Sequence, residues 1–473
     1  MGFQQSTGYF IERRTLPIDD KTAATNPSSQ MRLPQRLQTL LELSPPVELF
    51  YAGADEEAGK LQLLCLYSRK DVFYVEVGPQ SIDDISLAFQ NYFQNNADED
   101  KVTIVRIRPA PQRRNGYATL CPRGAIAMLA YNPDYNEYSL VLQHKKDQTL
   151  VSSPLVFSLE EMSGKEDQIA DFCFAQSEGL GLLSSLTVLM VKGSGDVLAA
   201  SPIVFDGCVV PSSKLEESLD FLEYQIQSLA SKSPKSNQAK AAKMFLKDAF
   251  PGNNNESESS SKALFRTAKV VSEAPVRSAV HWPVQIQGPF LSIPRDHLEV
   301  ANHAVVIENF SASDIIGIAV GGEEYSIDLG IVSPSCLLPR FNFESPQEGH
   351  EIDEGLWAAG AVVQRLVLTD HQDASSTGPL NNQSLSLIRD PLLDTMIHYV
   401  TGTGVTTANT TAMRQVLRKI QGGGAGTDTP QTSAWSSVVA SSSQLEGVVL
   451  AGNDARFGHA MIARLSNGKD NKV

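Results

Sequence analysis

Short apolar runs divided by turn-forming residues recur along most of the chain. KLQLLCLY and DVFYVEV (60–67 and 71–77) are β-rich runs joined by a three-residue turn. GAIAMLAY and EYSLVLQH (124–131 and 137–144) repeat the form across NPDYN. IADFCFAQ, SSLTVLMV and DVLAASPI (169–176, 184–191 and 196–203) make a trio, with Lys192-Gly193-Ser194-Gly195 dividing the last two. HAVVIENF, DIIGIAVG and EEYSIDLG (303–310, 314–321 and 323–330) make another, with Gly321-Gly322 at its tight turn. Weaker copies stand at LLDTMIHYV (392–400) and at QLEGVVLAG with GHAMIARL (444–452 and 458–465).

Each set reads as a small antiparallel sheet whose apolar faces it cannot bury alone. Side-by-side stacking covers those faces, and closing the stack into a ring protects the edges. A nearly continuous apolar strand such as LTVLMV suits a sheet held between two others. The pattern predicts an all-β chain, a β-propeller over 41–465 with about seven blades. A two-sheet sandwich is the alternative architecture, and no WD dipeptide marks the repeats. Residues 1–40 lack sustained periodicity and read as a disordered or irregular segment, and 466–473 as a tail.

One stretch changes period. Ser213-Lys214-Leu215-Glu216 fits a capping box. Behind it Leu215, Leu219, Leu222, Ile226 and Leu229 fall on one helical face. A second helix is expected over 238–250, so 212–250 reads as a helical hairpin inserted between blades. Its seam either packs on the propeller flank or offers a groove to a partner helix. Residues 402–420 hold a strand and a short helix, and QGGGAGTDTPQTS (421–433) has linker composition.

Charge narrows the function. With 39 Lys+Arg against 54 Asp+Glu the net charge is −15, which argues against a nucleic-acid surface. A basic patch from Arg106-Ile107-Arg108 to Arg113-Arg114 reads as a solvated loop. Cys65, Cys121, Cys173, Cys208 and Cys336 are far apart, which suits a reducing compartment and gives no zinc site. No apolar run approaches a membrane span and no secretory signal follows Met1, so the N-x-[ST] matches at Asn255, Asn309, Asn382 and Asn409 are expected to be idle. The stretch from Met1-Gly2 to Ser6 fits a myristoylation pattern without a polybasic stretch behind it.

Candidate chemistry is sparse. Gly422-Gly423-Gly424-Ala425-Gly426 lacks the Lys-Ser/Thr of a phosphate cradle. The eight histidines show no local ligand pair, and His350 to Glu354 is the densest acid-histidine stretch. Asp171, Asp196 and Asp314 are isolated, and no serine sits in a G-x-S-x-G elbow. The residues therefore predict a scaffold with no catalytic residue, no metal and no cofactor.

QIQGPFLSIP, followed after a short spacer by ANHAVVIENFSASDIIGIAVGGEEYSIDLG, resembles the propeller domain of the nucleoporin eighty-eight family, nucleoporin eighty-two in fungi. LLCLYSRKDVFYVEVGPQSIDDISLAFQNYF, KVTIVRIRP and IADFCFAQSEGLGLLSSLTVLMVKGSGDVLAASPIVFDGCVVP match in the same order, and LEESLDFLEYQIQSLA falls where that family has its helical insertion. The resemblance covers most of 55–335 and fades beyond about 355; the family's first blade has no counterpart in residues 1–50, which implies a first blade that is incomplete or irregularly closed. It implies a structural subunit on the cytoplasmic face of the nuclear pore that docks other nucleoporins and supports export of messenger RNA and ribosomal subunits. It also implies partner contacts at Leu215, Leu219, Leu222, Ile226 and Leu229. No sustained heptad block precedes Val473, so coiled-coil partners are not expected of this chain. Rival classes are a ligand-binding or catalytic propeller and a cytosolic propeller that binds peptides. Within VQIQGPF (284–290), Val284 and Ile286 are expected to pair as a strand, Gly288-Pro289 to break it, and Phe290 to anchor the crossover into the next blade.

Overall fold

The computed structural model describes 26 strands, three helices and residues adjoining them, with side chains described mainly over 102–110, 126–142, 168–175, 186–205, 208–229, 236–251, 264–268 and 409–416. The chain opens with β1 (Tyr9–Thr15) and β2 (Ser29–Arg32). Next, β3 (Glu48–Asp55), β4 (Leu61–Tyr67), β5 (Val72–Val77) and β6 (Ile82–Leu87) pair in chain order as a four-stranded antiparallel sheet. A second such sheet holds β7 (Thr103–Pro109), β8 (Ile126–Asn132), β9 (Glu137–Gln143) and β10 (Leu155–Ser158).

The third sheet begins with β11 (Ile169–Phe174), β12 (Val188–Lys192) and β13 (Val197–Ser201). The chain then departs through β14 (Val209–Pro211), α1 (Ser212–Ser228), α2 (Pro234–Ala249) and β15 (Phe265–Thr267). It returns as β16 (Gln285–Leu291), which pairs with β13. A fourth sheet comprises β17 (Val305–Asn309), β18 (Ile316–Gly321), β19 (Ser326–Val332) and β20 (Ala361–Val367). The fifth comprises β21 (Ser386–Arg389), β22 (Met396–Val400), β23 (Val405–Asn409) and β24 (Ala434–Ser437), with α3 (Thr411–Gln421) before its last strand.

Finally β25 (Leu445–Ala451) and β26 (Met461–Asn467) pair with each other and join the first two strands, in the order β2-β1-β26-β25. The leading strands of successive sheets are neighbours: β3 with β7, β7 with β11, β11 with β17, β17 with β21, β21 with β25, and β25 with β3. The six sheets thus follow one another in a cycle.

Three expectations are corrected. Among the described residues there are six four-stranded sheets where about seven blades were expected, and the further sheet there is the short ribbon β14–β15 at the root of the helices. Residues 1–40 are not wholly irregular, because β1 occupies the edge of β26 from Tyr9↔Asn467 to Thr15↔Met461. That pairing satisfies backbone groups that no local repeat announces. Gly288-Pro289 does not end its strand either. β16 runs through it, and the register moves from Ala199↔Gln287 to Val197↔Leu291, so Gly288, Pro289 and Phe290 stand opposite Leu198 alone. Proline has no N–H for the ladder, and a bulge on an outer strand is where a sheet tolerates one. The side chain of Phe290 lies outside the described residues, as do Gly422–Gly426 and the stretch from His350 to Glu354.

Burial follows the expected sandwiching. Ile126 to Ala130 on β8, Val188 to Val191 on β12 and every residue of β13 are buried, so both faces of these strands are covered. Between β12 and β13 the turn closes with the Gly195 N–H on the Lys192 carbonyl at 2.9 Å, with Gly195 at a φ of 82°.

Candidate functional site

The helical pair is the largest departure from sheet among the described residues. Its first helix starts one residue before the predicted capping box. Pro211 stands at the boundary in an extended conformation, and no side chain caps the helix. The Ser212 N–H instead donates to the Leu264 carbonyl at 3.0 Å, so the ribbon supplies the acceptor that a cap would have offered. Leu229, again extended, ends the helix, its N–H on the Gln225 carbonyl at 3.1 Å. The second helix begins at Pro234, four residues earlier than predicted, where proline's missing N–H costs nothing.

The predicted seam turns inward. Leu215 and Leu222 are buried in the main apolar core, Leu219 and Ile226 pack against it half-buried, and Leu229 is half-buried. From α2, Ala239, Ala242, Phe245, Leu246 and Ala249 recur at helical spacing and enter the same core. The Leu182 N–H reaches the Ser218 hydroxyl at 3.4 Å, a polar tie between the helix and the body.

Lys243 links the two helices by donating to Glu223, which also accepts from Gln227 Nε2 at 3.2 Å. The bonds from Lys243, then Gln227, hold the Glu223 carboxyl below its ordinary range. On the side away from the core, Phe221 is 52% and Tyr224 69% exposed on α1, and Met244 54% exposed on α2. Leu264 and Phe265 of the ribbon are also exposed. The seam's spacing drew attention to the helix; the outward aromatic pair, three residues apart, was missed though equally legible.

A second constellation joins β7 and β11. Arg106 Nε donates to Asp171 Oδ1 at 3.2 Å, and Arg108 Nη2 to Asp171 Oδ2. Arg108 Nε also donates to the Phe172 carbonyl at 3.1 Å, and the Phe172 N–H to Asp171 Oδ1 at 2.8 Å. Asp171 is wholly buried and both arginines nearly so. Both strands shift register beside these residues, between Ile104 and Arg106 and between Ile169 and Asp171, which re-aims the side chains into the interface. The reading of Arg106 and Arg108 as a solvated loop is therefore corrected, and Asp171 is not isolated. The signal available was alternation: in KVTIVRIRP, Arg106 and Arg108 share one face of a strand, and the shift after Ile104 lies before both.

Tyr138 makes a further tie between these sheets. Its hydroxyl accepts from the Ile169 N–H at 3.0 Å, and its ring lies 4.8 Å from Tyr131 and 5.8 Å from Phe157. Burial pushes its phenol up to about 12. Among the described residues no three His, Cys, Asp or Glu converge on a metal position, and no helix is long and apolar enough to cross a membrane. Cys173 and Cys208 are buried thiols.

These features define an all-β chain of antiparallel four-stranded sheets carrying an inserted helical pair. No protein-family model matches it, and no curated protein matches its sequence. Among solved structures it is similar to a chain of the Chaetomium thermophilum heterotrimeric Nup82 NTD–Nup159 TAIL–Nup145N APD complex. That match has a TM-score of 0.56 and 12% identity over 98% of this chain and 91% of that one. A chain of the yeast heterotrimeric Nup82–Nup159–Nup116 nucleoporin complex gives 0.48 at 13% identity, over 85% and 84%. The Vanderwaltozyma polyspora Nup133 β-propeller domain gives 0.34 at 7%, over 93% and 85%. The first likeness shows a shared fold.

Proposed function

We propose that the chain is a structural subunit of the nuclear pore complex, a six-bladed β-propeller that docks other nucleoporins and catalyses no reaction. The observation that carries this reading is the whole-chain likeness to the Chaetomium thermophilum nucleoporin complex, which spans 98% of the residues. The cycle of six sheets, sealed where β1 joins β26, supports the propeller. On this reading 41–465 is the body of the propeller and 1–40 brings the strands that close it.

The subunit sits on the cytoplasmic face of the pore and supports export of messenger RNA and ribosomal subunits. It needs no cofactor. The seam formed by Leu215, Leu219, Leu222, Ile226 and Leu229 seats the helical pair firmly, and the pair with its ribbon grips another nucleoporin beside the sheets. Leu264, 80% exposed, and Phe265 are the apolar residues the ribbon offers. Fluorescent tagging of the full chain tests the reading: a punctate nuclear rim supports it. A diffuse cytosolic signal would instead favour a cytosolic interaction or ligand-binding propeller.

A further inference from the structure

We propose that the β1–β2 hairpin is a strap that opens from β26 and is exchanged with the same hairpin of a second copy of this chain. In the sheet β2-β1-β26-β25 the leading two strands come from residues 445–467 and the outer two from residues 9–32. β1 joins the body of that sheet through its ladder with β26, seven register pairs long, and β2 pairs in turn with β1 at four. The hairpin therefore leaves as a unit when one ladder breaks. Lifting β12 with β13 instead breaks the ladders to β11 and β16 and uncovers buried residues. Elements held along a single edge fall at the low end of local stability.

Opening leaves the edge of β26 from Met461 to Asn467, and an unpaired edge is a template for another strand. The sequence that fits this edge is the one seated on it, YFIERRT of β1, and every copy of the chain carries it. A second copy's hairpin remakes the same seven pairs in the same register, so exchange replaces each ladder by its equivalent and is reciprocal between two copies. Residues 33–47 tether the hairpin to β3, and fifteen residues reach up to about 50 Å when extended, far enough to arrive at a neighbouring molecule. The tether also keeps a chain's own hairpin at an effective concentration of millimolar order. The closed monomer therefore dominates in dilute solution, and the exchanged pair grows with concentration. Exchange leaves the helical pair and its ribbon in place, so it does not depend on which partner they grip.

Hydrogen exchange on the native full chain tests the opening: amides of Tyr9–Thr15 should exchange several-fold faster than those of Val197–Ser201. Disulfide trapping tests the exchange. Ile11 and Leu465 are register partners. An Ile11→Cys chain incubated with a Leu465→Cys chain should, on oxidation, give a linked species of twice 51.3 kDa whose yield rises with concentration. The same two substitutions in one chain should link internally in dilute solution. Ile11→Cys with Met461→Cys should give several-fold less linked species, since Met461 is the partner of Thr15 and lies four residues out of register. Tyr9→Cys with Asn467→Cys, at the end of the ladder, repeats the trapping should the central pair impair folding. Amides of β1 as slow as those of β13 overturn the proposal. So does linkage between chains that is no greater in register than out of it.

Discussion

Gly288 lies so close to Val197 that a β-carbon on it would stand 2.8 Å from the Val197 carbonyl oxygen, and its φ is +122°. Backbone meets backbone there, so no side-chain rotation relieves the contact. The bulge of Gly288, Pro289 and Phe290 opposite Leu198 depends on that approach. Gly288→Ala should destabilise the chain by at least about 1–3 kcal/mol from the dihedral strain alone. Thermal melting reads it directly, and an unchanged midpoint would mean that the strand slips to a register without the bulge.

Much of the sheet framework was legible because its strands are locally apolar and separated by turn residues. IADFCFAQ and DVLAASPI announced β11 and β13 with no help from distant residues. What escaped depends on partners far along the chain. β1 exists as the mate of β26, more than four hundred residues away in sequence, and Ser212 finds its acceptor on Leu264. The capping box failed for that reason, since a tertiary carbonyl displaced the local motif. Arg106 looked solvated until Asp171, on another sheet, gave its charge a buried counterpart.

Asp171 holds two arginines in a buried interface, so removing its carboxylate leaves two cations there without it. Asp171→Ala should cost about 3–5 kcal/mol, the range for breaking a buried ion pair from one side. Urea unfolding measures the loss. Exchanging Arg106 for Met in the same background should return part of it, because one of the stranded charges is then gone.

Tyr138 couples stability to alkaline pH. Its phenol is raised from an ordinary 10.0 to about 12, so the neutral form is favoured in the folded chain. The stability this contributes is complete below pH 10 and is lost as pH rises through 12. Tyr138→Phe should flatten that alkaline slope. It should also cost about 1–3 kcal/mol at neutral pH, because the Ile169 N–H loses the hydroxyl as an acceptor.

Glu223 acts in the opposite direction. Its carboxyl is held below the usual 4.5 by Lys243 and Gln227, so the tie between the helices is present above that pH and is lost as pH falls through the folded value. Solvent screens this surface link, so its effect on overall stability is small. NMR titration of the Glu223 side chain is the sensitive measurement. Lys243→Met should return its midpoint towards 4.5, and an unmoved midpoint would exclude the Lys243 contact as the main cause.

The seam decides between support and direct docking. Leu222 is buried in the main core and Ile226 packs against it, so the paired substitutions Leu222→Glu and Ile226→Glu place two carboxylates against apolar neighbours. Losing the burial of a leucine alone costs about 1.5–3 kcal/mol, and burying charge adds to that. The melting temperature should therefore fall clearly in the isolated chain, before any partner is present. Phe221→Ala with Tyr224→Ala, on the outward side of the same helix, should leave it within a degree or two, because those rings are exposed. Comparing the two double variants by melting and by nuclear-rim targeting separates the roles. A seam variant that keeps its melting temperature yet loses the rim would show that the seam meets the partner itself.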